Sequence, residues 1–250
     1  RYGRRQRQMC IRDRFNIKVQ QDNFLGKGNN VSLEIEKSSY KKLLRYRNTD
    51  PYFTEDGISK STSMVFSETD VSSTSTASYI SDTIAYGVNY NVPISETRSY
   101  GYGAELILTD YATTAGSPNN VTSFINEYGK SHLGLMLRAS LVEDTRNRTV
   151  YATQGKKQSI TTSIFVKPDF DYSYASVKFT GEYNTPYKLN FFDMFTWDTA
   201  FQVKPQLGLG TGLLGESSLP FHDKFFAGGD NTVRGFDSGS LGPLRNIKAV

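Results

Sequence analysis

From Phe15 onward, apolar and polar residues alternate at period two over stretches long enough to cross a bilayer. Phe15, Ile17 and Val19 alternate with Asn16, Lys18 and Gln20, and Val31, Leu33 and Ile35 with Ser32, Glu34 and Glu36. Ile84, Tyr86, Val88 and Tyr90 alternate with Ala85, Gly87 and Asn89; Leu133, Leu135, Leu137 and Leu141 share one face, and Gly134, Arg138 and Ser140 take the other. Because successive side chains of a strand point to opposite faces, this period selects β structure. Ten strands are expected, at 15–21, 29–37, 41–48, 58–67, 79–90, 98–109, 132–143, 157–166, 172–183 and 196–209. Turn chemistry separates them, as in DNFLGKGN, TDPYFTEDG, NVPISE, SPNN and KPDFD. One short helix is expected, near Val121–Tyr128 inside a loop.

Strand length and the charges within strands choose among all-β architectures. A soluble sandwich uses strands of about five or six residues, whereas a tilted strand that spans a bilayer needs about 9–11. Glu105, Arg138 and Lys178 fall well inside strands; a sealed apolar core makes such charges costly, and the polar interior of a membrane barrel accepts them. Aromatics at Tyr100/Tyr102, Tyr172/Tyr174 and Phe195/Trp197 lie near strand ends, which suits an interfacial girdle. The expected fold is therefore an antiparallel transmembrane β-barrel. A helical membrane protein is excluded, since the longest unbroken apolar or glycine run, Leu133–Leu137, is about five residues, far short of the roughly 20 required.

The charge balance narrows the partners. The 250 residues carry a formal net charge of +4, but residues 1–14 alone hold six arginines and one aspartate, leaving 23 basic against 24 acidic groups in the rest. That remainder has no basic footprint for nucleic acid. Residues 1–14 lack either structural period and resemble translated adapter sequence, so they are expected to be a non-native scar. Cys10 is the single cysteine, which excludes a disulfide scaffold. Residues 15–209 are read as barrel strands and 210–250 as an extracellular loop that folds into the lumen, the whole being a fragment of a longer barrel.

Short connections at 22–28, 49–57 and 91–97, with longer ones at 144–156 and 184–195, fall on one side; 68–78, 110–131 and the tail fall on the other. Outer-membrane barrels keep short turns in the periplasm and long loops outside. No catalytic constellation appears: His132 and His222 have no metal or triad spacing around them and are read as structural. Gly208-Leu209-Gly210-Thr211-Gly212 lacks the βαβ setting of a dinucleotide loop. Glu143 and Asp144 are read as solvated turn residues, and no enzyme activity, metal or cofactor is expected.

One segment stands apart: Phe225-Phe226-Ala227-Gly228-Gly229-Asp230-Asn231-Thr232-Val233-Arg234-Gly235-Phe236. It resembles the inward-folded loop of the outer-membrane-protein insertion superfamily, whose VRGF-type tetrapeptide matches Val233, Arg234, Gly235 and Phe236. Gln20–Gly28 and Asp50–Gly57 are similar to the first two periplasmic turns of that family's assembly factors, and Asp144–Gly155 to a later one, departing from it at Tyr151-Ala152. The resemblance implies a partial barrel, about ten strands of sixteen, from a protein that inserts β-barrel proteins into the bacterial outer membrane through a lateral seam. It implies nascent β-barrel substrates, outer-membrane lipids and lipopolysaccharide as partners, with lipoprotein subunits reached through POTRA domains outside this chain. A sibling assembly factor, a two-partner secretion exporter and a surface receptor with recognition in loops 68–78 and 110–131 remain as alternatives.

The physics of the loop is independent of that likeness. Arg234 keeps its charge and offers five donors, so inside a lumen it requires carboxylates or carbonyls. Gly235 permits a tight excursion, Gly228 and Gly229 a fold-back, and Phe225, Phe226 and Phe236 packing against the wall.

Overall fold

Each alternating stretch forms a strand, and each of the first nine strands pairs antiparallel with the next. The computed structural model describes residues 15–38, 41–70, 79–114, 117–168, 172–191, 195–213, 219–225, 227–228, 233, 235 and 241, with side chains omitted over 189–198. The strands are β1 (Phe15–Gln21), β2 (Asn30–Lys37), β3 (Lys41–Asp50), β4 (Ser59–Asp70), β5 (Tyr79–Ser95), β6 (Arg98–Thr113), β7 (Ser131–Asp144), β8 (Gly155–Val166), β9 (Ser173–Phe191), β10 (Phe195–Val203) and β11 (Gln206–Leu213). They form one sheet in sequence order from β1 to β10, and β11 also pairs with β9. The expected loop helix is present as α1 (Asn119–Tyr128).

The structure lengthens several strands. β5 runs on to Ser95 through an irregularity at Pro93/Ser95, so residues 91–97 are mostly strand. β9 runs to Phe191, so 184–195 is not the long connection expected. Both extensions carry a proline. β4 ends opposite Asn91 and β8 opposite Asn184, so Pro93 and Pro186 each have a partner strand on one side only. A missing N–H is tolerated at such an edge. The strand expected at 196–209 is divided at Lys204-Pro205 into β10 and β11, which keep a common register on β9 (Val203 opposite Tyr183, Gln206 opposite Thr180).

Register sorts the side chains onto two faces. Leu133, Leu135, Leu137 and Leu141 project from the apolar face with Tyr100, Tyr102, Leu106 and Ile160, all exposed. The opposite face carries Ser59, Ser61, Ser63, Glu105, Arg138 and Lys178, and there Arg138 donates to Glu105 at 2.6 Å. A water-soluble sheet would invert this arrangement by burying the leucines. Tyr172 and Tyr174 are corrected by the same register. They do not join a girdle; both are buried, and Tyr174 packs on the polar face against Phe165. Bulk there is accepted by Gly134, where a Cβ would collide with the Phe165 ring. Glu143 and Asp144 are ion-paired rather than merely solvated, Glu143 with Arg98 and Lys156 and Asp144 with Arg146.

Candidate functional site: the folded-back tail

The last strand prepares a surface for the segment that follows it. Gly208, Gly210 and Gly212 of β11 lie opposite Lys178, Ser176 and Tyr174 and so share the polar face, while Leu207 and Leu209 are exposed on the apolar one. Three glycines at period two leave a strip of bare backbone. The tail returns along it. A Cβ on Gly210 would stand 2.7 Å from Cγ of Leu219, and one on Gly208 2.7 Å from the Phe225 ring. The GLGTG sequence is thus a packing track, and the Phe225 ring packs over Gly208.

Beyond Leu219 the tail enters an aromatic cluster. Phe221 meets the edges of Tyr79 at 4.9 Å, Phe124 at 5.3 Å and Tyr111 at 5.4 Å between ring centroids. Val121, Phe124 and Ile125 of α1 are buried in the same cluster, so one face of the loop helix and the returning tail cover the sheet end together. His222 stacks on Tyr111 at 5.2 Å, and its Nε2 lies 3.5 Å from the Tyr172 hydroxyl. Its Nδ1 is buried and has no hydrogen-bond partner among the described residues. Burial pulls the His222 imidazole down to about 4, outweighing the opposite pull of Asp223, while His132 lowers it further. His132 is buried in the cluster, with Nε2 3.1 Å from the carbonyl oxygen of Gly129. A cavity of about 250 Å³ lies beside these groups, bordered by Tyr79, Thr83, Thr109, Arg138 and Asp223. Among the described residues no three of His, Cys, Asp and Glu converge to hold a metal ion.

The segment then closes on itself. Ala227 and Leu241 exchange backbone hydrogen bonds of 2.6 and 2.8 Å in an isolated antiparallel bridge. Gly228 at φ +110° and Gly235 at φ +91° occupy backbone that disfavours any other residue. Val233 is exposed. Arg234 and Phe236 of the tetrapeptide, with Phe226 and Gly229, lie outside the described residues. Leu219 and Phe221, which seat the tail, escape the sequence reading, whereas His222, read from the sequence as structural, sits beside them in the cluster. The available signal was the polar-face parity of the three glycines.

A second ordered feature lies at the other end of the sheet. Arg146, nearly buried in the β7–β8 turn, donates to both oxygens of Asp144 at 2.9 and 2.8 Å and to Glu182 at 3.3 Å. Replacing it with leucine removes the two-pronged donor from Asp144 and one donor from Glu182, leaving Lys157 near the first and Asn184, Gln202 and Lys204 at the second. Both carboxylates keep some solvent, so the expected loss is about 1–3 kcal/mol, below the cost of breaking a fully buried pair. Lysine should restore only part, because it lacks the two-pronged fork. Urea unfolding midpoints of the full-length parent would order the three proteins as arginine, lysine, leucine, and equal midpoints would refute the brace.

With this geometry in place, relatives can be compared. The family model for the Omp85 superfamily domain matches residues 23–247. The chain belongs to the Omp85 superfamily. It is 27% identical over 236 residues to the outer membrane protein assembly factor BamA of Neisseria meningitidis serogroup B (strain ATCC BAA-335 / MC58), covering 90% of this chain and 28% of that protein. It is 27% identical over 238 residues to the SAM50-like protein CG7639 of Drosophila melanogaster, covering 89% of this chain and 48% of the relative. The crystal structure of Haemophilus ducreyi BamA lacking POTRA domains 1–3 superimposes with a TM-score of 0.78 at 23% identity, over 92% of this chain and 44% of that one. The chain therefore spans less than half the length of each, and its fold is a partial Omp85 barrel. In that fold the polar face is the lumen wall, and the described tail residues Leu219, Phe221 and Phe225 pack on that face.

Proposed function

We propose that this chain is the barrel portion of a BamA-type factor that folds and inserts β-barrel proteins into a bacterial outer membrane. The observation that carries the reading is the match to BamA along 90% of the chain, joined to a tail that packs on the lumenal face. No covalent chemistry is needed. At an opened seam, unpaired backbone N–H and C=O groups offer an edge on which an incoming strand can form. The strand ends joined by 22–29 and 51–58 face the periplasm in this reading, and α1 and the tail face outward. Partners are unfolded barrel precursors, outer-membrane lipid and lipopolysaccharide, and the Bam lipoproteins reached through POTRA domains. Val233–Phe236 is the lumenal anchor, with Arg234 held by carboxylates on later strands.

Two measurements test this. The full-length parent in lipid vesicles should speed the folding of a urea-unfolded porin over protein-free vesicles. No acceleration overturns the assembly reading, and ion conductance in its place favours a transport pore. Arg234→Ala should make the loop protease-accessible and lower porin assembly severalfold. Unchanged digestion and normal assembly would remove the anchoring role.

A further inference from the structure

The turns at the end of the sheet opposite the tail hold large apolar side chains out in water. Leu25 is 74% exposed, Tyr52 81%, Ile94 59% and Tyr151 89%, with Val150 beside it at 64%. These are not slack loops. Leu25 and Tyr151 adopt φ of +54° and +52°, a left-handed backbone that side chains other than glycine and asparagine seldom adopt. In the first turn Asn23 Oδ1 accepts the Gly28 N–H at 2.7 Å, and Phe24 N–H donates to the Asn29 carbonyl at 2.7 Å. Around Tyr151, Asn147 Oδ1 accepts from the Thr153 and Gln154 N–H groups at 3.2 and 3.3 Å, and its amide donates to Thr153 Oγ1 at 2.8 Å. Tyr52 N–H donates to Asp50 Oδ1 at 3.1 Å. Strain maintained by such bonding while an apolar group stands in water points to a contact the group is kept for.

Bilayer hydrocarbon is a poor candidate for that contact. On the apolar face, Asp50 lies opposite Lys60 in the register, and Arg98, Glu143 and Lys156 form an ion-paired group. These charges stand between the apolar belt and the tips of the second and fourth turns. The tips are also separate. Neighbouring turns are two strands apart, about 10 Å across the sheet, which an extended chain covers in about three residues. Charge differs along the row: Asp50, Glu55, Asp56 and Glu96 flank the middle tips, and Arg148, Lys156 and Lys157 the last. Discrete apolar anchors amid charges of both signs suit an extended amphipathic chain better than one folded surface.

We propose that these tips form a holding site for the unfolded barrel precursor, gripping its apolar and aromatic side chains before strand formation. This rests on the assembly reading and its periplasmic placement of the turns. A photo-crosslinking residue at position 52 or 151 of the full-length parent in lipid vesicles, with position 137 on the apolar belt as control, is challenged with urea-unfolded porin. Both tips should crosslink the unfolded porin, lose the crosslink once it has folded, and exceed the control. Porin insertion without tip crosslinks, or equal crosslinking of prefolded porin, overturns the holding site and leaves the assembly reading standing. Combining Leu25→Asn, Tyr52→Ser and Tyr151→Asn, which keeps residues suited to the left-handed positions, should slow insertion about tenfold at limiting porin and far less at saturation. An unchanged rate at limiting porin also overturns the proposal, and an unsubstituted parent that inserts no porin overturns the assembly reading and this proposal together.

Discussion

Gly210→Leu is expected to expel the tail from the lumen. The new side chain would occupy the space filled by Leu219, whose Cγ would lie only 2.7 Å from the added Cβ, so the Leu219 side chain must leave its seat. Losing the seats of Leu219 and Phe221 forfeits about 1.5–3 kcal/mol for each buried side chain. Against this stands the ordering entropy of the tail, about 1–2 kcal/mol per fixed residue. Net docking is therefore a small difference, and losing either seat suffices to reverse it. Trypsin cleavage after Lys224 in the full-length parent should accelerate at least about tenfold, the factor expected for 1.4 kcal/mol. Leu209→Ala, on the opposite face of β11, should leave the cleavage rate unchanged. Equal protection in Gly210→Leu and the parent would mean that the glycine strip does not seat the tail.

The sheet was legible in the sequence because its information is local. Alternation fixes the parity of each strand, and a strand with leucines on one face and charges on the other has few environments to choose from. Residues such as Glu105 and Arg138, read as lumenal, are paired on that face. Strand ends were less legible because proline was read as a stop. Pro93 and Pro186 sit where a neighbouring strand has already ended, and that depends on the length of a different strand. Tyr174 carried the right signal in its alternation with Ala175, but its place near a strand end suggested a girdle; the tail that covers it lies about 50 residues further on. For the same reason Leu219 and Phe221 gave no local sign. Their partners come from β5, β6, α1 and β11, brought together only by the run of strand pairings.

Acid should release the tail through His222. Its imidazole is packed among Tyr111, Tyr172, Tyr174 and Phe221, with Asp223 as the adjacent carboxylate, His132 in the same cluster and Arg138 across the cavity. Burial lowers its affinity for a proton to a value of about 4, so the docked tail excludes a proton that a released tail would bind near 6.5. The sign follows from that difference. Between the two values the released state holds more protons, so docking gains stability as pH rises through the window. The contribution is complete above about 6.5 and is lost as pH falls toward 4, a change of about 3 kcal/mol. Cleavage after Lys224 should thus be slow at pH 7.5 and fast near pH 4.5, read with a protease active at both or by hydrogen exchange across residues 219–225. His222→Gln cannot take up a proton, so it should flatten this dependence even if it lowers docking overall. A parent equally protected at both pH values would contradict the prediction, and an undiminished acid response in His222→Gln would move it to another group in the cluster. Tail docking and proton exclusion are coupled because one side chain is both a wedge in the aromatic cluster and a base whose Nδ1 has no hydrogen-bond partner among the described residues.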